Sequence, residues 1–261
     1  WPEQTYRSAA YWDAFKHSLN EARKLNMKVG LHNSPGWSVT GGPWISPEEG
    51  MQAVAFSKTR IRGEKEVRVE LPNPKEGTEV AGYFKDVAVM AVPVGKEILS
   101  SDVLDISEHF ANGLLDWQVP PGEWAVYRFG HYPTMVRSHP APKDVADYSL
   151  EVDKMDPEVT IKHWNGVLAP LKDQFSEYIG NTFNYIWIDS YEAGEQNWSP
   201  NFRSDFIRMK GYDPVPQIIL AYERGDSILN FDTHGIRTLE GKPVTESELF
   251  LKDYAEVINR L

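Results

Sequence analysis

The chain has 261 residues, a formal net charge of −11 and no cysteine. This length permits a large core in one or two domains, and the acidic charge argues against a nucleic-acid binder, which needs a basic face. The missing cysteines exclude disulfides, thiolate metal sites and a cysteine nucleophile, and no apolar run is long enough to span a membrane.

The first predicted elements are an amphipathic helix over residues 8–26 and a short strand over residues 27–31. Apolar side chains recur in the helix at spacings of three and four, which is the helical period. The loop that follows, residues 32–44, is rich in glycine and proline, as turns require. Turn formation does not account for four other side chains in this loop, which are candidates for ligand binding: His32, Asn33, Trp37 and Trp44.

The pattern of polar and apolar residues changes after a short helix that is predicted to begin at Ser46-Pro47. From about residue 53, segments of alternating polar and apolar residues are separated by proline and glycine, and helical periodicity is missing. This pattern predicts antiparallel strands. We therefore predict an antiparallel β insertion over residues 53–139, with Trp117 and Trp124 packed inside it.

Strand and helix patterns alternate again after a proline-rich linker over residues 140–147. A strand is predicted over residues 148–152, and Asp156 and Pro157 predict the cap and first turn of a helix. The buried face of that helix is predicted to carry Ile161, Trp164, Leu168, Leu171 and Phe175.

A further strand, rich in aromatic residues, is predicted over residues 184–189 and is followed by a polar loop. Ser199 and Pro200 predict the start of the next helix, which Gly211 ends. An apolar run over residues 217–222 and a closing helix from about Thr245 complete the chain.

Strands that alternate with helices favour a parallel sheet or barrel. An eight-stranded barrel needs more strands than remain outside the insertion. The predicted fold is therefore α/β: a partial (β/α)8 TIM-type barrel with an antiparallel β insertion. Its parts are barrel units over residues 1–52, the insertion over residues 53–139, and an incomplete barrel continued over residues 140–261.

Three predicted strands end in polar residues, after Leu31, Val152 and Ile188. In β/α proteins, ligands bind at the carboxyl ends of strands, so three such ends predict a pocket. His32 could instead be a satisfied core histidine. The pair Asp153-Lys154 could be a structural ion pair or could contact sugar hydroxyls.

The polar loop after residue 188 holds the best candidates for chemistry. Glu192 follows the strand among aromatic residues that could desolvate it and raise its pKa, as a glycosidic acid requires. The alternative is an acid placed at a helix N-terminus by the helix dipole. Glu195 is the second choice, and Asp189 could hold a ligand hydroxyl, a metal ion or a neighbouring cation.

Flat aromatic rings suit the apolar faces of sugars. Trp37, Trp44 and Trp198 are therefore candidate sugar platforms, although packing would explain each of them as well. Other chemistries are weaker: the sequence has no glycine-rich phosphate loop, no histidine pair with zinc spacing and no Gly-x-Ser-x-Gly motif. Calcium is possible because oxygen ligands are abundant, although no EF-hand loop is present.

Several motifs together resemble glycoside hydrolase family 106, the α-L-rhamnosidases. They occur in the order of that family around its β insertion, between about residues 23 and 214. The motifs are His32-Asn33-Ser34-Pro35-Gly36-Trp37, Gly41-Gly42-Pro43-Trp44-Ile45, Asp153-Lys154-Met155, Asp189-Ser190-Tyr191-Glu192, Gln196-Asn197-Trp198 and Arg208-x-x-Gly211-Tyr212-Asp213.

The resemblance implies a fragment of a (β/α)8 catalytic domain within a longer, exported, polysaccharide-degrading enzyme. It implies hydrolysis of terminal α-L-rhamnosides with inversion, a calcium requirement whose ligands are unknown, and Glu192 as the general acid. The second carboxylate is expected on a later strand, in the remaining segment of the catalytic domain. Because the chain opens at Trp1-Pro2 without an initiator Met, the missing signal peptide says little.

The expected rim of the pocket combines these motifs. Its substrate-binding residues are predicted to be His32, Asn33, Trp37, Trp44, Asp153, Lys154, Asp189, Tyr191, Gln196, Asn197 and Trp198. Two alternatives stay open at this point. One is a non-catalytic carbohydrate-binding or structural fragment, and the other is a barrel glycosidase with a different sugar specificity.

Overall fold

The structure is a computed structural model that describes residues 7–33, 40–63, 65–75, 82–95, 98–137, 149–188, 196–223 and 246–261. The chain divides into two compact units. Unit 1 comprises residues 1–51 and 135–194, and unit 2 comprises residues 52–134 and 195–261.

The described residues of unit 1 contain two α-helices and two strands that pair with each other. Helix α1 is Ala9–Lys24, strand β1 is Val29–His32, helix α2 is Pro157–Phe175 and strand β9 is Phe183–Trp187. The hydroxyl of Ser8 accepts a hydrogen bond from the Tyr11 backbone N–H and so caps α1. Asp156 caps α2 in the same way, ahead of a proline in the first turn, which confirms that part of the sequence prediction.

Strands β1 and β9 pair in parallel, with His32 opposite Trp187 at their carboxyl ends. Parallel neighbours cannot be joined by a tight turn and need a long crossover connection. Here the two strands come from segments far apart in the sequence, as β/α units require. The pairing supports the prediction of parallel β/α units in this part of the chain.

The core of unit 1 lies where α1 and α2 pack on this strand pair. Leu19 of α1, Leu171 and Phe175 of α2, and Phe183 of β9 belong to one buried cluster. The prediction for the buried face of α2 was wrong at Ile161, whose exposed fraction is 58%. The prediction holds at Leu171 and Phe175, and the other two buried positions of the helix are His163 and Val167.

The predicted strand over residues 148–152 does not form a parallel strand in the described residues. Leu150 and Val152 instead make isolated antiparallel bridges, with Gly42 and Gly50 as partners. An alternating sequence becomes a strand only where a regular neighbour offers a ladder of hydrogen bonds. The neighbours here are loop residues that flank the 3-10 turn Pro47–Glu49.

Unit 2 contains two antiparallel sheets. The first has the order β2-β8-β4-β5 and the second has the order β3-β7-β6. Their strands are β2 Gln52–Arg62, β3 Glu66–Glu70, β4 Lys85–Pro93, β5 Leu104–Asp105, β6 Phe110–Ala111, β7 Leu114–Gln118 and β8 Glu123–Pro133. Side chains of both sheets contribute to one buried cluster, as in a sandwich.

Trp117 and Trp124 lie inside that cluster, as predicted. Their rings meet edge to face with centroids 5.7 Å apart, and the indole nitrogen of Trp124 donates to the Pro120 carbonyl. Buried indoles need such a partner because their N–H otherwise loses its hydrogen bond to water.

The part of unit 2 that the structure describes also contains three helices: α3 is Phe202–Lys210, α4 is Pro214–Glu223 and α5 is Glu246–Ile258. Gly211 ends α3 in the left-handed region, at φ 81°, as its sequence position predicted. The predicted start of α3 was wrong, because Ser199 and Pro200 lie in a turn ahead of the helix. The preceding residue, Trp198, is held by a β-bridge to Gln52, which keeps the backbone extended up to that point.

The architecture is therefore mixed α/β with an antiparallel β region. The described residues form no closed barrel, so the TIM-type barrel and the three-part division at residues 52 and 139 stay predictions. Among the described residues, no helix is both long and apolar enough to cross a membrane.

The sandwich core provides a direct test of the fold. Leu115 is fully buried between the sheets, so Leu115→Ala removes apolar contacts and leaves a cavity. We expect a loss of about 2–5 kcal/mol in the free energy of unfolding, measured by urea denaturation. Leu249→Ala is the matched control, because Leu249 is exposed on α5. Equal losses in the two variants would contradict this core.

Candidate functional site

The parallel strand pair sets the position of two polar segments in unit 1. The backbone N–H of Asn33 donates to the Trp187 carbonyl at 3.0 Å, one step beyond the last paired residues. The segments that begin at His32 and at residue 188 therefore leave the sheet at the same edge. The side chain of Asn33 is buried at this edge.

Among the described carboxylates of this unit, Glu151 is the most buried, with no exposed surface. Its Oε2 atom accepts hydrogen bonds from Lys154 Nζ at 2.9 Å and from Thr40 Oγ1 at 3.3 Å. Its Oε1 atom is buried and has no hydrogen-bond partner. A buried carboxylate oxygen is costly to leave unpaired.

Lys154 is the cation that pairs with the Glu151 carboxylate. Burial lowers the pKa of Lys154, and the charges of Glu151 and Asp153 oppose that shift. The predicted ion pair thus exists in a different form, since the carboxylate bound by Lys154 belongs to Glu151 and not to Asp153. Asp153 accepts a hydrogen bond from the Met155 backbone N–H through Oδ1.

His163 joins this cluster from helix α2. The indole nitrogen of Trp44 donates to His163 Nδ1 at 3.3 Å, so the neutral ring carries its proton on Nε2. That atom is buried and has no hydrogen-bond partner. Burial, together with the charge of Lys154, lowers the pKa of His163 to about 4, so the ring stays neutral near pH 7 and Nε2 offers a donor.

Packing accounts for much of the environment of Trp44. A Cβ atom at Gly166 would lie 2.6 Å from the indole ring, so α2 approaches the ring closely at this glycine. The Arg7 guanidinium lies over the ring at 4.8 Å from its centroid. The predicted role of Trp44 in sugar binding stays a prediction.

Three predicted site residues lie in unit 2 and are fixed by its β region. Asn197 Oδ1 accepts from the Val54 backbone N–H at 2.9 Å, and Gln196 Nε2 donates to the Trp198 carbonyl at 3.0 Å. Their predicted sugar contacts are untested.

The structure corrects the prediction for Trp198. Its exposed fraction is 1%, and its ring packs against Phe129 and Phe202 with centroids 5.6 and 5.0 Å away. A sugar platform must present a face to solvent. We therefore assign Trp198 to the core of unit 2.

Several predicted residues lie outside the described residues: Trp37, Asp189, Tyr191, Glu192 and also Glu195. Their predicted roles stay predictions. Among the residues that are described, no group of three or more histidine, aspartate or glutamate side chains could hold a metal ion. The calcium requirement that the resemblance implies stays a prediction.

The sequence prediction missed Thr40, Glu151 and His163. A signal for Glu151 was present, because Ser149, Glu151 and Asp153 alternate with Leu150 and Val152. Such alternation places the polar set on one face, and all three polar residues are buried. His163 carried no comparable signal, since one histidine within a helix is not distinctive.

The comparisons with known proteins fit this arrangement. The model of glycoside hydrolase family 106, described as alpha-L-rhamnosidase, matches residues 2–97 and 89–222. The chain belongs to this family of glycoside hydrolases, which confirms the resemblance of its motifs.

One relative and one solved structure add detail. A protein described as "Putative beta-glucuronidase", from Formosa agariphila, is 34% identical in an alignment 243 residues long, and the match covers 80% of this chain. The structure of a rhamnosidase from Novosphingobium sp. PP1Y matches 97% of this chain with a TM-score of 0.73 at 18% identity, a likeness of fold alone. The chain spans 20% of the first protein and 38% of the second.

The buried ion pair can be tested by stability. In Glu151→Gln the Lys154 ammonium keeps its position but loses its carboxylate. We expect the free energy of unfolding to fall by about 1–3 kcal/mol in urea denaturation, because a buried charge is then left uncompensated. The control is Glu177→Gln, which breaks an exposed pair with Arg23 and should cost less than about 1 kcal/mol. Similar losses of unfolding free energy in both variants would show that the Glu151–Lys154 pair contributes no more to stability than an exposed ion pair.

His163 predicts a specific pH dependence. The unfolded chain binds the histidine proton near its ordinary pKa of 6.5, whereas the folded chain binds it at about 4. Between these values the unfolded state holds more protons, so lowering the pH destabilises the fold by about 3 kcal/mol at most. His163→Gln should flatten the dependence of unfolding free energy on pH over this window. His17→Gln, at an exposed histidine of α1, serves as control, and an unchanged slope in His163→Gln would contradict the assignment.

Proposed function

We propose that this chain is part of the catalytic domain of a glycosidase that hydrolyses terminal α-L-rhamnosides with inversion. The observation that carries the proposal is the parallel pairing of β1 with β9, in which His32 lies opposite Trp187. The segments that follow the two strands therefore begin at the same carboxyl end of the sheet. In β/α enzymes the chemistry lies on loops at this edge. The family match supports the reaction class.

Glu192 is proposed as the general acid, by its position in the Asp189-Ser190-Tyr191-Glu192 motif. It would give its proton to the glycosidic oxygen while water attacks the opposite face of the sugar. Water needs a second carboxylate as base, about 6.5–9.5 Å from the acid. The sequence offers no motif for that base, so we place it on a further segment of the same polypeptide.

The buried polar groups of unit 1 are proposed to bind sugar hydroxyls. Glu151 Oε1 is an unpaired acceptor and His163 Nε2 is an unpaired donor, and a sugar hydroxyl can donate to the first or accept from the second. His32, Asn33, Asp153 and Lys154 are proposed as further contacts of this site. Burial strengthens such hydrogen bonds because water does not compete with them.

Exposed apolar side chains in and directly after β9 support the presence of a further segment of polypeptide that covers them. Tyr185 and Trp187 are 60% and 63% exposed, and Ile188 is 51% exposed. Strands of parallel sheets are normally covered on both faces, so this apolar surface needs a cover. We propose that additional β/α units of a longer, exported polypeptide extend the sheet here and complete a (β/α)8 barrel, in which calcium binds.

The role of Glu192 is tested in the longer polypeptide that contains this chain. Glu192→Gln should lower the hydrolysis rate of a 4-methoxyphenyl α-L-rhamnoside by about 10²–10⁴, because the leaving group then departs unprotonated. A 2,4-dinitrophenyl α-L-rhamnoside, whose leaving group needs little protonation, should lose much less. Rates are measured by release of the phenol.

Glu195→Gln is the matched control, since it is the second acid of the same loop and should retain activity. Full activity of Glu192→Gln on the methoxyphenyl substrate would overturn the assignment. Hydrolysis of an aryl β-glucuronide in preference to the rhamnoside would move the specificity toward that of the Formosa relative's description. Rhamnose binding without turnover on either substrate would favour the non-catalytic reading.

A further inference from the structure

A groove on unit 2 has a composition unlike that of the chain as a whole. It lies along the end of β2, Lys65 and β3, and has a volume of about 430 Å³. Its lining includes the cations Arg60, Arg62, Lys65 and Arg68 and a single carboxylate, Glu66. Four positive charges and one negative charge give +3, in a chain whose formal net charge is −11.

These cations are only weakly engaged by the protein. Arg62 lies 3.9 Å from Glu123, and both side chains are largely exposed, so this pair holds little energy. In the described part of the chain, Arg60, Lys65 and Arg68 make no ion pair. Elsewhere in unit 2, by contrast, Arg128 and Arg203 each hold an aspartate with two or more hydrogen bonds.

The backbone around the groove explains why the cations stand together. Ile61 of β2 and Val67 and Val69 of β3 turn toward the sandwich core. Alternation along each strand therefore directs Arg60, Arg62 and Arg68 away from that core. Among the described residues, both strands lie at the edge of their sheets.

We propose that this groove binds an acidic polysaccharide through its uronate carboxylates. Guanidinium groups bind carboxylates with paired hydrogen bonds and remain charged at all relevant pH values. Several cations in a row suit a polymer with repeated negative charges better than a single small anion. The choice of a carbohydrate rests on the proposed glycosidase function, whereas the choice of a polyanion rests on the charges alone.

Basic side chains at sheet edges also prevent unwanted strand pairing. That role predicts aggregation when the charges are removed, and no effect on glycan binding. The two explanations therefore give different results in one set of variants. Size-exclusion chromatography reports on the first, and glycan binding reports on the second.

The test is titration of the 261-residue chain with polygalacturonate by calorimetry at low salt, with dextran as the neutral comparison. We expect binding of polygalacturonate only, weakened by added salt through screening. Arg60→Gln combined with Arg68→Gln should weaken the binding at least tenfold. Arg60→Lys combined with Arg68→Lys keeps both charges and should retain most of it.

The matched control is Lys16→Gln combined with Lys172→Gln, which removes two exposed cations from unit 1 and should leave the affinity unchanged. Equal binding of dextran, or equal affinity in the two glutamine variants, would overturn the proposal. Equally tight binding of poly-L-glutamate would also overturn it, since the groove would then not select a carbohydrate. Hydrolysis of an aryl rhamnoside by the longer polypeptide should persist in Arg60→Gln with Arg68→Gln, which separates this groove from the proposed active site.

Discussion

The parallel pairing of β1 with β9 is the constraint on which unit 1 depends. A parallel pair cannot form locally, because its strands must run in the same direction and be joined by a long connection. Once the register sets His32 opposite Trp187, the polar segments that follow the two strands must leave from one edge. The same pairing gives α1 and α2 a common surface, on which Leu19, Leu171 and Phe183 form a core.

The buried pair of Glu151 and Lys154 shows a different kind of constraint. Removing two charges from water costs more than their attraction returns unless further hydrogen bonds satisfy them. Thr40 supplies one such bond to Glu151, yet Oε1 of the same carboxylate is left unsatisfied. Such costly buried groups are found both at functional sites and in structural ion-pair networks.

The chain passes between the two units three times, and the last passage follows the proposed catalytic loop. Residues up to 194 belong to unit 1, and residues from 195 belong to unit 2. Beyond the passage, the chain is fixed at once to the start of β2, because Gln52 accepts backbone hydrogen bonds from Asn197 and Trp198. Asn197 and Trp198 therefore hold the chain in place at the start of β2, whatever contact either of them makes with a sugar.

The sequence alone determined the features that depend on near neighbours. Ser8, Asp156 and Gly211 act within one turn of the backbone, so the ends of α1, α2 and α3 follow from local chemistry. The alternating strands of the β region and the burial of Trp117 and Trp124 were also predictable. Only the tertiary structure decided the burial of Trp198, the exposure of Ile161 and the pairing of Lys154 with Glu151. Each of these depends on which distant segment packs against the residue, and that information is not contained in the local pattern.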